Sequence, residues 1–270
     1  MGNGIAHVFG LHEYEVILVD ISPSQVDKAM TTISKNLDRM LQKGHINSDQ
    51  KIGTLLSIKT STDLTSAVVD ADLVIEAVSE DIDLKRKLFR ELSEHAPSEC
   101  ILASNTSSIS ITKIAAVTTH PERVIGMHFM NPVPVMKLIE IIKGHRTSPE
   151  ITRAVVTIGK SLGKVPVEVN DYPGFIANRI LMPMINEAIW SLHEGVGTAE
   201  AIDSIMKLGM AHPMGPLQLA DFIGLDVCYS ILKVMQDGFG NQKYAPCPLL
   251  VNMVNAGMLG KKTKEGFYEY

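Results

Sequence analysis

A histidine and a glutamate on either side of a proline turn are the residues of this chain best suited to proton transfer. His128 ends an apolar run that begins at Val124, and Glu140 lies in the middle of a second apolar run. The intervening Asn-Pro-Val-Pro at 131–134 should reverse the chain, because proline fixes φ and cannot donate to a sheet ladder. An unpaired buried carboxylate is costly. We therefore expect Glu140 to pair with His128 and to orient its ring as a general base.

The same two residues also fit a structural interpretation. In that alternative, His128 is a hydrogen-bonded core histidine and Glu140 lies on a solvated face of a strand. Perturbed ionisable pairs occur both in catalytic sites and in structural networks. The residue types alone leave the two alternatives open.

The segments that must position this pair alternate between strands and helices. Apolar runs predict strands at 15–20, 58–62, 72–78, 100–103 and 165–169, and helical periodicity predicts helices at 26–41, 82–95, 109–117 and 151–162. This alternation predicts an α/β fold, a Rossmann-like, mostly parallel sheet with helices on both faces. Pro166 places the strand at 165–169 on the sheet edge.

The chain changes character at the turn Asp171-Tyr172-Pro173-Gly174. Beyond it the pattern predicts helices only, at 175–193, 199–208, 216–235 and 249–255. We therefore expect an α/β domain over residues 1–171 and an all-α domain over residues 172–270. In the first of these helices, Ile176, Ile180, Met184, Ala188 and Trp190 are predicted to lie near the buried side.

Composition excludes several classes of function. The chain has 270 residues and a net charge of -5, which gives no reason to expect a nucleic acid or an anionic membrane as partner. No apolar run approaches the length of a bilayer span, and the start does not have the pattern of a signal peptide. The three scattered cysteines and the histidine spacing indicate neither disulfides nor a metal site, so we expect a cytoplasmic protein without bound metal.

The segment from His128 to Glu140 reads His-Phe-Met-Asn-Pro-Val-Pro-Val-Met-Lys-Leu-Ile-Glu and resembles the signature of the 3-hydroxyacyl-CoA dehydrogenases. The resemblance continues through 103–108, 171–179 and the Gly-Lys-Lys-Thr at 260–263, so it covers nearly the whole chain. It implies NAD-dependent, reversible oxidation of the S isomer of a 3-hydroxyacyl-CoA to the 3-ketoacyl-CoA. The chain is most similar to bacterial members that act on 3-hydroxybutyryl-CoA, which implies a short acyl chain.

The resemblance also implies roles for individual residues. His128 would be the base and Glu140 its orienting partner, while Ser107 and Asn178 would bind the substrate oxygen near an interdomain cleft. Contacts with the cofactor are implied for Glu80, Lys85, Ser107, Asn131 and Lys262, and a contact with the coenzyme A phosphates for Lys43. Judged by chemistry alone, these residues also fit helix-cap, ordinary helical or solvated positions.

The first twenty residues match the second half of a dinucleotide-binding unit. The Met-Gly-Asn-Gly at 1–4 opens a helix, with Gly2 at the last position of the family's glycine pattern, and the following strand ends on Asp20. Asp20 there would bind both ribose hydroxyls and favour NAD over NADP, although it also fits the cap of the next helix. The preceding strand and the first two glycines are absent. We expect a truncated or misassigned start, weakened pyrophosphate binding and exposed neighbouring strand edges.

The helical half is rich in apolar residues for its size. They include Met206, Met210, Met214, Phe222 and Met235. A self-association face, and hence a homodimer, is expected from them.

Two other functions stay open. One is a related dehydrogenase that acts on a sugar acid such as L-gulonate, and the other is a non-catalytic nucleotide-binding relative.

Overall fold

The computed structural model describes every residue from Met1 to Tyr270 and divides into two compact units. The first comprises Met1–Asp171 and the second Tyr172–Tyr270. Strands and helices alternate in the first unit, whereas the second is built from helices. The predicted fold class, a mostly parallel α/β sheet followed by a helical region, is confirmed.

The first unit contains seven strands and seven α-helices. Its strands are β1 (Val16–Val19), β2 (Ile58–Ser61), β3 (Leu73–Glu76), β4 (Ile101–Ser104), β5 (Val124–Phe129), β6 (Leu138–Lys143) and β7 (Val165–Asn170). Its helices are α1 (Gly2–Leu11), α2 (Pro23–Gln42), α3 (Ser48–Ser57), α4 (Leu64–Val68), α5 (Ile82–His95), α6 (Ile111–Ala115) and α7 (Pro149–Ser161). Helices α3 and α4 were not predicted. Their starts are fixed by side-chain caps, from Asn47 and Asp63 respectively, rather than by an apolar stripe.

The strands form two sheets. Strands β1 and β2 pair with each other, and the second sheet has the order β3-β4-β5-β6-β7. Neighbouring strands are parallel except for β5 and β6, which are antiparallel. Strand β7 lies at an edge, as Pro166 predicted. Strands β1 and β3 each have one edge without a strand partner, and Ile17 in β1 is 48% exposed.

Helix α1 connects the two sheets through apolar contacts. Ile5 and Phe9 pack in a core cluster with residues of β4, β5 and β6. Ala6, on another face of the helix, packs in a cluster with residues of α2 and β2. Val16 of β1 contacts both clusters. Because no ladder of hydrogen bonds joins β1 to β3, this helix supplies much of the cohesion between the sheets.

The second unit has five α-helices: α8 (Ala177–His193), α9 (Ala199–Gly209), α10 (Pro216–Ile223), α11 (Leu225–Phe239) and α12 (Pro248–Asn255). The single helix predicted over 216–235 is wrong. Gly224 interrupts it with φ of +105°, a conformation that residues with a Cβ rarely adopt, so two helices form. None of the helices combines the length and apolarity needed to cross a bilayer.

Three predictions of side-chain burial in this unit are wrong. Ile176, expected near the buried side of α8, is 49% exposed, because it lies at the N-cap, before the first turn of the helix. Ile180 was expected near the buried side of α8 but is 67% exposed. The buried face runs through Asn178 and Met182, and a residue two positions from each points away from it at about 100° per residue. Met235 was expected at a self-association surface but is fully buried, because it shares a face of α11 with Cys228 and Ile231.

Two buried carboxylates fix the C-terminal segment of this unit. Asp203 accepts a hydrogen bond from the hydroxyl of Tyr268 at 2.8 Å and from two backbone amides at the start of α10. Asp221 accepts from the amides of Phe267 and Tyr268 and from the hydroxyl of Tyr270. Burial raises the pKa of the Asp221 carboxyl and, with Asp221 nearby, raises the pKa of Tyr270 to about 12.

His7 in α1 is a buried titratable residue whose side chain has no ionic or hydrogen-bonding partner. It is fully buried, and neither ring nitrogen has a hydrogen-bond partner. Burial, reinforced by the charge of Lys164, lowers the pKa of His7 from 6.5 to about 4. The folded protein therefore holds this imidazole neutral under conditions where the unfolded chain would protonate it.

We expect His7 to make folding sensitive to acid. Its contribution to stability is complete above its unfolded pKa and is lost as the pH falls from 6.5 toward about 4. Relative to His7→Gln, the wild type should lose up to about 3 kcal/mol of unfolding free energy over that range. Urea denaturation at a series of pH values measures this, with the exposed His45→Gln as control. The same pH dependence in wild type and His7→Gln would contradict it.

Candidate active site

Strands β5 and β6 bring the histidine and the glutamate together. His128 and Glu140 are directly opposite in the antiparallel ladder, so their side chains lie on the same face of the sheet. Nδ1 of His128 is 2.8 Å from Oε2 of Glu140, and the residues are 8% and 3% exposed. Because a carboxylate only accepts, Nδ1 carries the proton and Nε2 is the basic nitrogen. This geometry is that of an oriented general base.

The turn that carries Ser107 follows β4 and is held by Glu80. One oxygen of Glu80, Oε1, accepts hydrogen bonds from Thr106 Oγ1 at 2.6 Å, from the amides of Ser107 and Ser108 at 2.9 and 3.0 Å, and from both serine hydroxyls. Burial opposes the charge of Glu80, but the bond from Thr106 and the charge of Lys85 outweigh it and lower the pKa of this carboxyl. Glu80 therefore stays ionised and fixes the shape of the turn.

A buried ion pair lies beside Glu80. Nζ of Lys85, a residue only 1% exposed, is 2.7 Å from Glu76 Oε1 and 3.5 Å from Glu80 Oε2. Glu76 also accepts hydrogen bonds from the Ser104 hydroxyl and the Val78 amide, each at 2.6 Å. Sequence reasoning missed Glu76, although an acid at the end of an apolar strand signals a buried partner. Lys85, predicted to contact the cofactor, is thus already paired with two carboxylates.

Asn105 connects the serine turn to the histidine strand. Its side-chain Oδ1 accepts a hydrogen bond from the amide of Phe129, the residue after His128, at 2.9 Å. Its own amide donates to the carbonyl of Glu76 at 2.8 Å. Since β4 and β5 are parallel neighbours, this bond fixes their carboxyl ends relative to each other. Ser107 and His128 therefore both lie at the carboxyl ends of these parallel strands, where ligands bind in open α/β folds.

The residues predicted to bind the dinucleotide lie at strand and helix ends. Gly2 opens α1, whose N-terminus has no side-chain cap, and a Cβ on Gly2 would lie 3.8 Å from Cβ of Ala77, next to the end of β3. Asp20 follows β1, is exposed, and accepts a hydrogen bond from the Ser22 amide at 3.0 Å. An uncapped helix N-terminus suits a pyrophosphate and an exposed carboxylate suits ribose hydroxyls, so these residues fit a dinucleotide.

The remaining predicted residues occupy separate positions. Asn131 is exposed in the turn after β5, and Lys43 is exposed at the C-terminal end of α2. Asn178 lies in the first turn of α8 and is almost fully buried. Lys262, in the C-terminal segment of the helical unit, forms an ion pair with Asp226. No group of three or more histidine, cysteine or acidic side chains has the arrangement of a metal site.

Two family profiles match this chain end to end. The profile described as the NAD binding domain of 3-hydroxyacyl-CoA dehydrogenase matches residues 1–172. The profile of the C-terminal domain of the same family matches residues 174–270. The two matches meet within the turn that joins the two units.

Individual relatives agree with these matches. A probable 3-hydroxybutyryl-CoA dehydrogenase of Bacillus subtilis is 51% identical over all of this chain and 94% of its own length. A 3-hydroxybutyryl-CoA dehydrogenase of Bradyrhizobium diazoefficiens is 52% identical over all of this chain and 92% of its own length. The crystal structure of (S)-3-hydroxybutyryl-CoA dehydrogenase PaaH1 from Ralstonia eutropha superposes with a TM-score of 0.97 at 47% identity, covering 100% of this chain and 95% of that one.

Removing one partner of the buried ion pair should be strongly destabilising, because it leaves the other charge buried without a counter-ion. Lys85→Met removes the counter-ion of Glu76 and should lower the free energy of unfolding by about 3–5 kcal/mol, whereas Lys87→Met, an exposed neighbour on α5, should change it by less than about 0.5 kcal/mol. The double variant Lys85→Met with Glu76→Leu removes both charges and should recover part of the loss. Urea denaturation at neutral pH measures the free energy of unfolding of all three variants. A decrease below about 1 kcal/mol in Lys85→Met would show that Lys85 is not the essential counter-ion of Glu76.

Proposed function

This chain belongs to the 3-hydroxyacyl-CoA dehydrogenase family, and we propose that its His128–Glu140 pair performs the proton transfer of the family's reaction. The family oxidises 3-hydroxyacyl-CoA with NAD, so the chain is an oxidoreductase with an acyl-CoA substrate. The observation that carries the proposal is the 2.8 Å contact between Nδ1 of His128 and Oε2 of Glu140 across the antiparallel ladder.

In the proposed mechanism, Nε2 of His128 takes the proton of the substrate's 3-hydroxyl. The proton on Nδ1 stays hydrogen-bonded to Glu140, whose carboxylate stabilises the imidazolium that forms. In the reverse direction the same imidazolium returns the proton to the alcohol oxygen. NAD, when bound, supplies the hydride acceptor. The burial of both side chains strengthens their interaction by excluding water.

Ser107 and Asn178 are proposed to donate hydrogen bonds to the reacting oxygen and to stabilise its negative charge. The Ser107 hydroxyl is 3.2 Å from Glu80 Oε1, the longest of the five hydrogen bonds that this oxygen accepts. A rotation of that hydroxyl toward a substrate therefore sacrifices the weakest of them. The backbone amide of Ser107 keeps the turn in place meanwhile. For Asn178 the support is the resemblance of residues 171–179 to the family.

We further assign the cofactor contacts to residues at the ends of strands and helices. Gly2 at the start of α1 suits the pyrophosphate, and Asp20 suits the ribose of NAD in preference to NADP. Glu80, Lys85, Asn131 and Lys262 are assigned to the remainder of the cofactor by resemblance. Lys43 is assigned to the coenzyme A phosphates on the same basis, and its exposure supports access to an anionic ligand.

The substrate is proposed to carry a short acyl chain, because relatives about half identical to this chain are named 3-hydroxybutyryl-CoA dehydrogenases.

A homodimer through the helical unit is supported by exposed apolar side chains at Ile205, Leu208, Met210 and Phe222. Three buried, unpaired cysteines support a reducing compartment such as the cytoplasm.

Reduction of acetoacetyl-CoA by NADH, compared with oxidation of L-gulonate by NAD, tests the substrate class. Turnover of L-gulonate alone would overturn it.

His128→Ala should remove the base while leaving the nucleotide site intact. We expect turnover of acetoacetyl-CoA to fall roughly 10²–10⁴-fold, with an NADH dissociation constant close to that of the wild type. NADH absorbance measures turnover and NADH fluorescence measures binding. His120→Ala, which replaces an exposed histidine, should behave as the wild type. Turnover that survives in His128→Ala would show that another group is the base.

Asp20→Ala should relax the choice of cofactor. Loss of charge-assisted hydrogen bonds to the ribose, and of repulsion toward a 2′-phosphate, should lower the NAD-to-NADP ratio of kcat/KM roughly 10- to 100-fold. Asp27→Ala, an exposed acid within α2, is the control and should leave the ratio unchanged. An unchanged ratio in Asp20→Ala would restrict Asp20 to its observed contact with Ser22 at the start of α2.

A further inference from the structure

We propose that Lys164 is a positioning residue for the His128–Glu140 pair and acts through the turn at residues 131–137, which joins β5 to β6. Lys164 lies between α7 and β7. Its two side-chain hydrogen bonds go to the turn, so its effect on the pair is indirect. The proposal rests on the catalytic roles proposed above for His128 and Glu140.

The ammonium group of Lys164 binds the turn at two points. Its Nζ donates to the carbonyl of Val133 at 2.6 Å and to the carbonyl of Met136 at 2.8 Å. The adjacent amide of Val165 donates to the carbonyl of Lys137 at 2.8 Å. The two side-chain bonds are charge-assisted and therefore stronger than bonds between neutral groups. Three carbonyls of the turn are thus held by Lys164 and the start of β7.

The turn also packs against α1. The side chain of Val133 is buried, and a Cβ placed on Gly4 would approach Cβ of Val133 to 3.0 Å, so the helix and the turn are in close contact. Within the turn, the amides of Val135 and Met136 both donate to the carbonyl of Pro132 at 3.0 Å. The turn therefore contacts both the first residues of α1 and the ammonium of Lys164.

The position of this turn controls the geometry of the pair. His128 lies three residues before it and Glu140 three residues after it, and both side chains belong to strands that enter and leave the turn. A displacement at the turn shifts the ends of β5 and β6 relative to each other. A misplacement of about 1 Å at a reacting group costs on the order of 100-fold in rate.

The charge of Lys164 does more than fill space, because its ammonium group donates to two carbonyls of the turn. Burial lowers the pKa of Lys164, so the fold spends free energy to keep an ammonium at this position. The charge of Lys164 also acts on the buried His7 of α1, whose pKa it helps to lower, so that this imidazole stays neutral. An apolar side chain would fill the space without this penalty but would leave two carbonyls of the turn without their donor. Violations of local preference of this kind concentrate at functional sites.

The test compares Lys164→Met, Lys164→Arg and Lys160→Met with the wild type. Lys160 is an exposed lysine at the end of α7 and serves as the matched control. In Lys164→Met we expect kcat for acetoacetyl-CoA reduction to fall roughly tenfold or more, with KM and NADH affinity changed by less than about threefold. Lys164→Arg keeps a charged group able to donate to both carbonyls and should recover most of kcat. Lys160→Met should match the wild type.

Hydrogen exchange measured on the peptide that covers residues 130–137 provides the readout specific to the turn. Exchange there should accelerate in Lys164→Met, while the midpoint of urea unfolding stays near that of the wild type. A kcat in Lys164→Met within about threefold of the wild type would overturn the proposal. So would a fall in kcat accompanied by global destabilisation that Lys164→Arg does not repair. If His128→Ala, measured in parallel, turns over substrate at the wild-type rate, the assignment of His128 as the base is overturned instead. Failure of the Lys164 proposal and failure of the base assignment are therefore distinguishable.

Discussion

The hydrogen bond between His128 and Glu140 is the interaction on which the proposed function depends. It exists because β5 and β6 are the one antiparallel pair in an otherwise parallel sheet, with the two residues in register. A shift of one residue would send the two side chains to opposite faces. The bond fixes the tautomer of the ring, and burial of both groups makes the alternative of an unpaired carboxylate costly. The proposed proton transfer therefore needs β5 and β6 in this register, with both side chains buried and hydrogen-bonded to each other.

Buried polar contacts fix the surrounding segments to this pair. Glu76 and Lys85 hold Glu80, which holds the Ser107 turn, and Asn105 connects that turn to the strand of His128. Lys164 holds the turn on the other side of the pair. Such networks contribute rigidity only when every member is satisfied. The same contacts that cost desolvation free energy thereby define the positions of the groups to which we assign catalysis.

Sequence reasoning succeeded where local pattern and tertiary structure agree. The prolines at 132 and 134 between two apolar runs predicted the hairpin, and the periodicity of residues 82–95 gave the observed bounds of α5. It failed at Gly224, where apolar periodicity continues across a glycine and only the observed backbone shows the break. Glu76 and Lys164 were not assigned roles because their partners depend on long-range packing. The segregation of β1 and β2 from the larger sheet is likewise a matter of pairing between distant segments.

The most direct test of the account is the protonation state of the His128 ring. Nitrogen-15 NMR of protein labelled at histidine, with the signal identified from the spectrum of His128→Gln, distinguishes the two ring nitrogens. At a pH where the ring is neutral, the account predicts a protonated Nδ1 and an unprotonated Nε2, and a loss of that preference in Glu140→Gln. A neutral ring protonated at Nε2 in the wild type would contradict the account, because the nitrogen assigned as the base would then have no lone pair to accept a proton.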